Sequence, residues 1–362
     1  MSSESAAIMH MADLGQALEW QAGHAEKNGA PCTARVIRAF AAVAGSDTTC
    51  GARMRDWPGL ALEDAMPLRL AGGFHNLYLT GTDIRLAPVY AGMLTDQAAI
   101  DALVLAMARE HDARLAAWFD GPPQTNEAGR SGGIMAQLLW LGGKLGQRFE
   151  LLELGCSAGI NTMLDRFAFD LGGVSAGRAG SAIHIAPEWR GPSPPAGDVA
   201  ITAIRGCDVA PIDLTDPDQA LRLKSYVWPD TPARLARIDA AIAMAQEHPP
   251  LLEKADAGDF VARRLAEPQQ AGVVRVLFHT VVWQYIPPQT RAAITASMEE
   301  AGRRATLERP LAWVTVETNR QTFRHELRMR FWPGAVGVAG GEEVLLGEAH
   351  AHGAWIEWYG QP

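Results

Sequence analysis

One stretch limits what this chain can fold into: Leu151-Leu152-Glu153-Leu154-Gly155-Cys156-Ser157-Ala158-Gly159-Ile160-Asn161. It reads as a buried strand, a small-residue turn and the start of a helix. Phe149 to Leu154 is mostly apolar, which suits a parallel strand covered on both faces and so an α/β fold. Gly155, Ser157, Ala158 and Gly159 keep side chains out of the turn, so a ligand can approach the backbone. A helix is expected over Thr162 to Phe169, with its N-terminal N–H groups aimed at that ligand. A nucleotide-like cofactor is the natural occupant. A dinucleotide fingerprint needs Gly-x-Gly-x-x-Gly, and the positions here are Gly155, Ser157 and Ile160. A P-loop needs Gly-Lys-Ser/Thr, and none follows.

What remains is acid-x-Gly-x-x-x-Gly: Glu153, Gly155, Gly159. This resembles the first motif of class I S-adenosylmethionine-dependent methyltransferases. The resemblance implies that Glu153 holds the ammonium of the methionine part and that Gly155, Ser157, Gly159 and Asn161 form the cofactor turn. The plain alternative is a strand–turn–helix with small residues for packing. Val199 to Ile204 is the next strand, and Asp208 beyond it can accept from both hydroxyls of a ribose, with Glu188 as its competitor. Leu251 to Asp259 resembles the third methyltransferase strand, which implies Asp256, or second Asp259, against the adenine amino group.

With 362 residues, 48% of them hydrophobic, the chain can bury a sizeable core. Net charge −9 and a pI near 5.6 argue against nucleic acid as partner, because such affinity comes from Lys and Arg on phosphates. The four cysteines have no metal-ligand spacing and fit a reducing cytoplasm. There is no basic-then-apolar leader and no apolar run long enough for a bilayer, so no membrane association is expected. Residues 1–10 are expected to fray. Helices are expected over 13–28, 31–44, 61–79 and 96–119, and no strand pattern precedes residue 148. The expected division is a helical N-terminal cap, 1–120, and a Rossmann-like α/β domain, 121–362.

Other chemistry-bearing residues fall around that frame. Gln124, Asn126, Glu127 and Arg130 form a dense polar segment before the first strand. Thr125 or Asn126 can also simply cap the helix that runs to about Leu145. Residues 171–198 read as an insertion carrying one extra strand. Trp228 sits in an aromatic loop before the helix opened by Thr231-Pro232. Val273 to Phe278 is a fourth strand and runs into His279 and Tyr285; Leu311 to Val316 is a fifth and runs into Glu317. Ligands in open α/β sheets sit off such carboxyl ends. Leu327 to Phe331 alternates as a strand, and Val344 to Trp358 reads as another. His350 and His352, at i and i+2 on that strand, would share one face and could share a metal, although no third ligand has matching spacing.

Taken together, Gln124-Thr125-Asn126-Glu127-x-x-Arg130, the Glu153 to Asn161 turn, Asp165-Arg166, Arg205-Gly206-x-Asp208, Trp228-Pro229-Asp230, His279, Tyr285 and His352-Gly353-x-Trp355 resemble the bacterial domain of unknown function family 2332. Departures are Cys156 for Ala, Ile160 for Leu and Thr280 for Ser. That family is similar to class I methyltransferases, so the resemblance implies a mostly parallel sheet with antiparallel closing strands and S-adenosylmethionine as cofactor. The expected activity is methyl transfer to a small molecule. His279 is the first choice of base and His352 the second. Glu317, Tyr285, Arg130 and Asn126 would orient the acceptor, with Gln124, Glu127, Trp228 and Trp355 as further substrate contacts. One rival is a non-catalytic regulatory module. Another is a metal-assisted hydrolase built on His350, His352 and Glu317.

Overall fold

A computed structural model describes residues 13–62, 64–335 and 337–360. The expected fraying of residues 1–10 lies outside the described residues. The chain divides into two compact units. One takes the chain up to Thr125 together with Asp216–Asp239; the other takes Asn126–Thr215 and Ala240 onward.

Every element of the first unit is helical among the described residues. Asp13 accepts from Gln16 N at 2.8 Å and opens Leu14–Lys27; Gly29, at φ 77°, ends it. Pro31–Ala44 begins on its proline. Met66–Leu79 starts later than expected, because Ala65 sits in the left-handed region at φ 51°. The single helix expected over 96–119 is instead Gln97–Glu110, Asp112–Ala116 and a 3-10 turn, Ala117–Asp120. The break falls where Asp112 turns its carboxylate onto Thr49 N (2.6 Å) and Cys50 N (2.8 Å), capping a helix, Thr49–Arg55, that the sequence pattern did not reveal.

Residues 216–239 complete this unit. The helix Pro31–Ala44 has no side-chain cap of its own. Asp230 supplies one, accepting from Cys32 N (2.6 Å) and from the Thr33 hydroxyl (2.6 Å). Trp228, expected at a substrate, is a buried member of the helical core. His75 Nδ1 donates to the Ser225 carbonyl at 3.1 Å, and its Nε2 is buried with no partner.

The second unit carries the strands β1 Arg148–Leu154, β2 Ala168–Leu171, β3 Val174–Gly177, β4 His184–Ile185, β5 Glu188–Arg190, β6 Ala200–Asp208, β7 Leu252–Lys254, β8 Val274–Thr280, β9 Leu311–Thr318, β10 His325–Trp332, β11 Val344–Ala349 and β12 Trp355–Trp358. Among the described residues the larger sheet has nine strands in the order β5-β12-β11-β10-β9-β8-β1-β6-β7. β7, β6, β1, β8 and β9 run parallel; β10, β11 and β12 pair antiparallel. The chain leaves β1 for β6 on one side and later returns to β8 on the other, so the connections diverge above the carboxyl end of β1.

Alternation fixes the faces. Leu152, Leu154, Cys207, Leu277, Leu311 and Trp313 join one cluster with Phe260 of the helix Ala257–Ala266 and with Ile294 and Met298 of the helix Pro288–Arg304. The other face carries the helix Ser131–Leu145. Its Gly133 lies so close to Val316 and Leu327 that a Cβ would meet both at 3.3 Å.

Three local expectations are corrected. The helix over 162–169 is a six-residue 3-10 segment, Asn161–Arg166, which runs straight into β2. Thr162 turns its hydroxyl onto Gly159 O at 2.7 Å, and the chain becomes extended at Phe167. The insertion after it holds a separate sheet, β3-β2-β4, and the edge strand β5. The single strand over 344–358 is β11 and β12 joined by a turn through His350 to Ala354, so the two histidines do not share a strand face.

Burial holds the His75 pKa down at about 4, so the folded helical unit keeps the ring neutral while the unfolded chain protonates near 6.5. Stability is therefore lost as pH falls from 6.5 towards 4, by about 1.6 kcal/mol between pH 6.5 and 5. His75→Asn should flatten that part of the pH dependence when denaturant unfolding is measured at pH 7 and pH 5.

Candidate functional site

The carboxyl end of β1 gathers buried polar groups that the protein itself leaves unanswered. Glu153 is 1% exposed, and its Oε2 has no hydrogen-bond partner. Ser157 Oγ and both carboxamide atoms of Asn161 are likewise buried and unpartnered. Burial pushes the Glu153 pKa well up; the Asn161 amide and the positive charge of Arg130 oppose this, and Asp208 adds to it. Buried polar atoms without partners are rare and mark places where water, an ion or a ligand completes the structure.

Asp208 stands on the same face as Glu153, since Leu154 pairs with Cys207 and both belong to the opposite cluster. Its Oδ2 accepts from Ser157 N at 2.9 Å and its Oδ1 from Ala210 N at 2.9 Å. The glycines do not hold the turn open as expected. A Cβ on Gly155 would lie 2.2 Å from Val282 Cγ2, and one on Gly159 2.6 Å from Leu252 Cδ2 and 3.0 Å from Pro250. Both have positive φ, at 62° and 72°. The space that the missing side chains release is filled by the protein's own apolar groups. Asp256 is exposed and caps the helix Ala257–Ala266 through Gly258 N and Asp259 N. Asp259 is exposed on its first turn. Glu188 lies on edge strand β5, paired with Arg190 at 2.9 Å.

The polar segment before the first strand does reach this turn. Asn126 does not cap the following helix; its Oδ1 accepts from Ile160 N at 2.7 Å. Gly129 packs against the His352-Gly353 backbone so closely that a Cβ on Gly353 would lie 2.3 Å from the Gly129 carbonyl. Arg130 Nε donates to Ala351 O at 2.9 Å. Two motifs more than 200 residues apart in sequence thus meet, Gly129 against the His352-Gly353 backbone and Arg130 on Ala351 O. Glu127 is buried in the same segment. The His350 and His352 rings stand 5.4 Å apart, and Trp355 is covered by the Arg190 guanidinium at 4.7 Å. Gln124 belongs to the helical unit.

His325 was missed. It opens β10, bonds the Thr318 hydroxyl at 3.0 Å, and feels the charges of Arg130 and His350; burial lowers its pKa to about 4. Its signal was its position, at the start of the alternating strand that lies against the carboxyl end of β9.

His279 and Glu317 stand on the opposite face. His279 is 1% exposed. The Trp313 indole N–H can only donate, and it donates to His279 Nε2 at 3.0 Å. Nδ1 therefore carries the ring proton and donates to Glu317 Oε1 at 2.7 Å. Both nitrogens are engaged, so the expected role of His279 as base is not available in this geometry; it positions Glu317. That carboxylate also accepts from Val282 N (3.0 Å) and Trp283 N (3.3 Å), and so braces a turn in which Val281 takes φ 54°, strained for a β-branched residue. Tyr285 is 72% exposed.

His350, His352 and Glu317 do not come together as a metal set. Among the described residues the grouping of three possible ligands is Asp83, Glu110 and His111, in the helical unit, where Arg85 already pairs with both acids. Among the described residues no helix is long and apolar enough to cross a membrane.

Fold and site define a mixed α/β protein with buried polar groups collected off the carboxyl edge of a mostly parallel sheet. The chain belongs to the bacterial family described as "Uncharacterized protein conserved in bacteria (DUF2332)", whose model matches residues 15–358. No curated protein and no solved structure matches it.

Gly353→Ala should destabilise the chain by at least about 2 kcal/mol, since a side chain at φ 72° is strained and here also meets backbone; thermal or denaturant unfolding reads this. Nitrogen-15 NMR should find the neutral His279 ring in the Nδ1–H tautomer, with Nε2 accepting from Trp313.

Proposed function

We propose that the chain binds S-adenosylmethionine off the carboxyl ends of β1 and β6 and methylates a small molecule. The observation that carries this is the set of unanswered polar atoms on Glu153, Ser157 and Asn161, beside Asp208 on the same face of the sheet. An amino-acid moiety fits them: its ammonium gives Glu153 Oε2 a donor and a charge partner, and its carboxylate gives the Asn161 amide an acceptor. Each Asp208 oxygen already takes one backbone N–H and keeps a lone pair for a ribose hydroxyl. The strand order β7-β6-β1-β8-β9, with its reversal at β1, is the arrangement in which open α/β sheets bind such ligands. Gly155 and Gly159 contribute by letting Val282, Pro250 and Leu252 close the far side of the turn.

The cofactor would supply an already activated methyl group. The chain's part is then to hold the acceptor in line and exclude water. Asn126 and Arg130 stand beside the Glu153 cluster and are suited to orient it. With His279 committed to Trp313 and Glu317, a base for an oxygen or nitrogen acceptor falls to His352 or His325. A non-catalytic binding module is the second reading, favoured by that engagement of His279.

Calorimetry with S-adenosylhomocysteine tests the site. Binding should be measurable, and Glu153→Ala and Asp208→Ala should each weaken it at least about tenfold, or 1.4 kcal/mol. Absence of heat, or indifference to both changes, refutes the proposal. Turnover across an acceptor panel separates the enzyme from the module.

A further inference from the structure

A cavity of about 280 Å³ lies on the face of the sheet away from Glu153, between β8, β9, β10 and the helix Pro288–Arg304. The register shows why it exists. Thr315 pairs with His279 on one side and Arg328 on the other, and Trp313 and Glu317 flank it two residues away on the same face. A small side chain thus sits in a ring of large ones, and the space above it stays empty.

The walls differ in chemistry. On the β8 side, Trp283 stacks on His279 at 4.9 Å and meets Trp313 edge-on at 5.4 Å, forming a corner of indole rings. Glu317 lies beside that corner, and three N–H groups fix its carboxylate. On the β10 side stand two guanidiniums and, lining the cavity with them, the Glu343 carboxylate. Arg328 is held by Glu326 and Glu343; Arg330 is held by Glu299 at 3.0 Å and the Gly341 carbonyl at 2.8 Å. A cation is favoured where indole faces and a carboxylate converge, and an anion where guanidinium forks point. Orienting such groups in advance lowers the entropic cost of binding.

We infer that this cavity is a binding site for a small zwitterion of the amino-acid type. Its ammonium would lie against Glu317 and the Trp283–Trp313 corner, and its carboxylate towards Arg328 and Arg330. The inference does not depend on the cofactor reading, because none of these residues belongs to the Glu153 cluster and the two sites occupy opposite faces of the sheet.

The test uses three probes of one chain length: 4-aminobutyrate with both charges, butylamine with the cation alone, and butyrate with the anion alone. Binding to the full-length protein is followed by indole NMR shifts of Trp283 and Trp313. 4-Aminobutyrate should shift both at a concentration at least about tenfold lower than either half-molecule. Glu317→Gln should cut the preference over butyrate, and Arg328→Gln the preference over butylamine. Thr315→Leu fills the floor of the cavity without removing a charge, and should abolish the shifts while the protein stays folded. Glu153→Ala should leave them unchanged. No shift with any probe, equal response to all three, or retained binding in Thr315→Leu overturns the inference.

Discussion

β1 is the strand about which the second unit is arranged. Both its neighbours run parallel to it, and the chain reaches them by connections that depart in opposite directions. Backbone leaving a parallel strand needs a long crossover before it can return beside it. The space above the end of β1 is therefore left by the connections on both sides, and side chains from distant stretches fill it: Asn126 and Arg130 from before the strand, Asp208 from β6, the His350–His352 turn from near the end of the chain. The polar groups that collect there stay partly unanswered because each side chain arrives from a separate segment.

Strain accompanies the same geometry. Ser157, at φ 50°, follows β1, and Val281, at φ 54°, follows β8, the two strands on either side of the reversal. Each is braced by a carboxylate from a neighbouring strand, Asp208 on Ser157 N and Glu317 on Val282 N. The acids that a sequence reader marks for ligands are thus first of all anchors for unfavourable backbone. A ligand that also binds them adds to a constraint already in place.

What the sequence made legible follows from range. Local signals were read well: Asp13 and Pro31 as helix starts, apolar runs as β1, β8 and β9, and alternation as β10. Failures came where a distant partner decided the outcome. Thr162-Met163-Leu164 could continue a helix, but the path into β2 ended it. Asn126 looked like a cap and is a tertiary bond to Ile160. His279 looked like a base, and only the position of the Trp313 indole shows which of its nitrogens holds the proton. Trp228 looked like a substrate contact because the helical core that buries it lies far earlier in the chain; the neighbouring Asp230 bonds Cys32, 198 residues away.

That last contact bears on biogenesis. The helix Pro31–Ala44 receives its cap from Asp230, 198 residues after Cys32 and after β1 and β6 have emerged. The N-terminal helices cannot close into their finished form while the ribosome is still making the first half of the protein. Their core waits for residues 216–239, which include the buried Trp228. The helical unit can be sealed once Asp239 is made, before the strands β7 to β12 that finish the second unit.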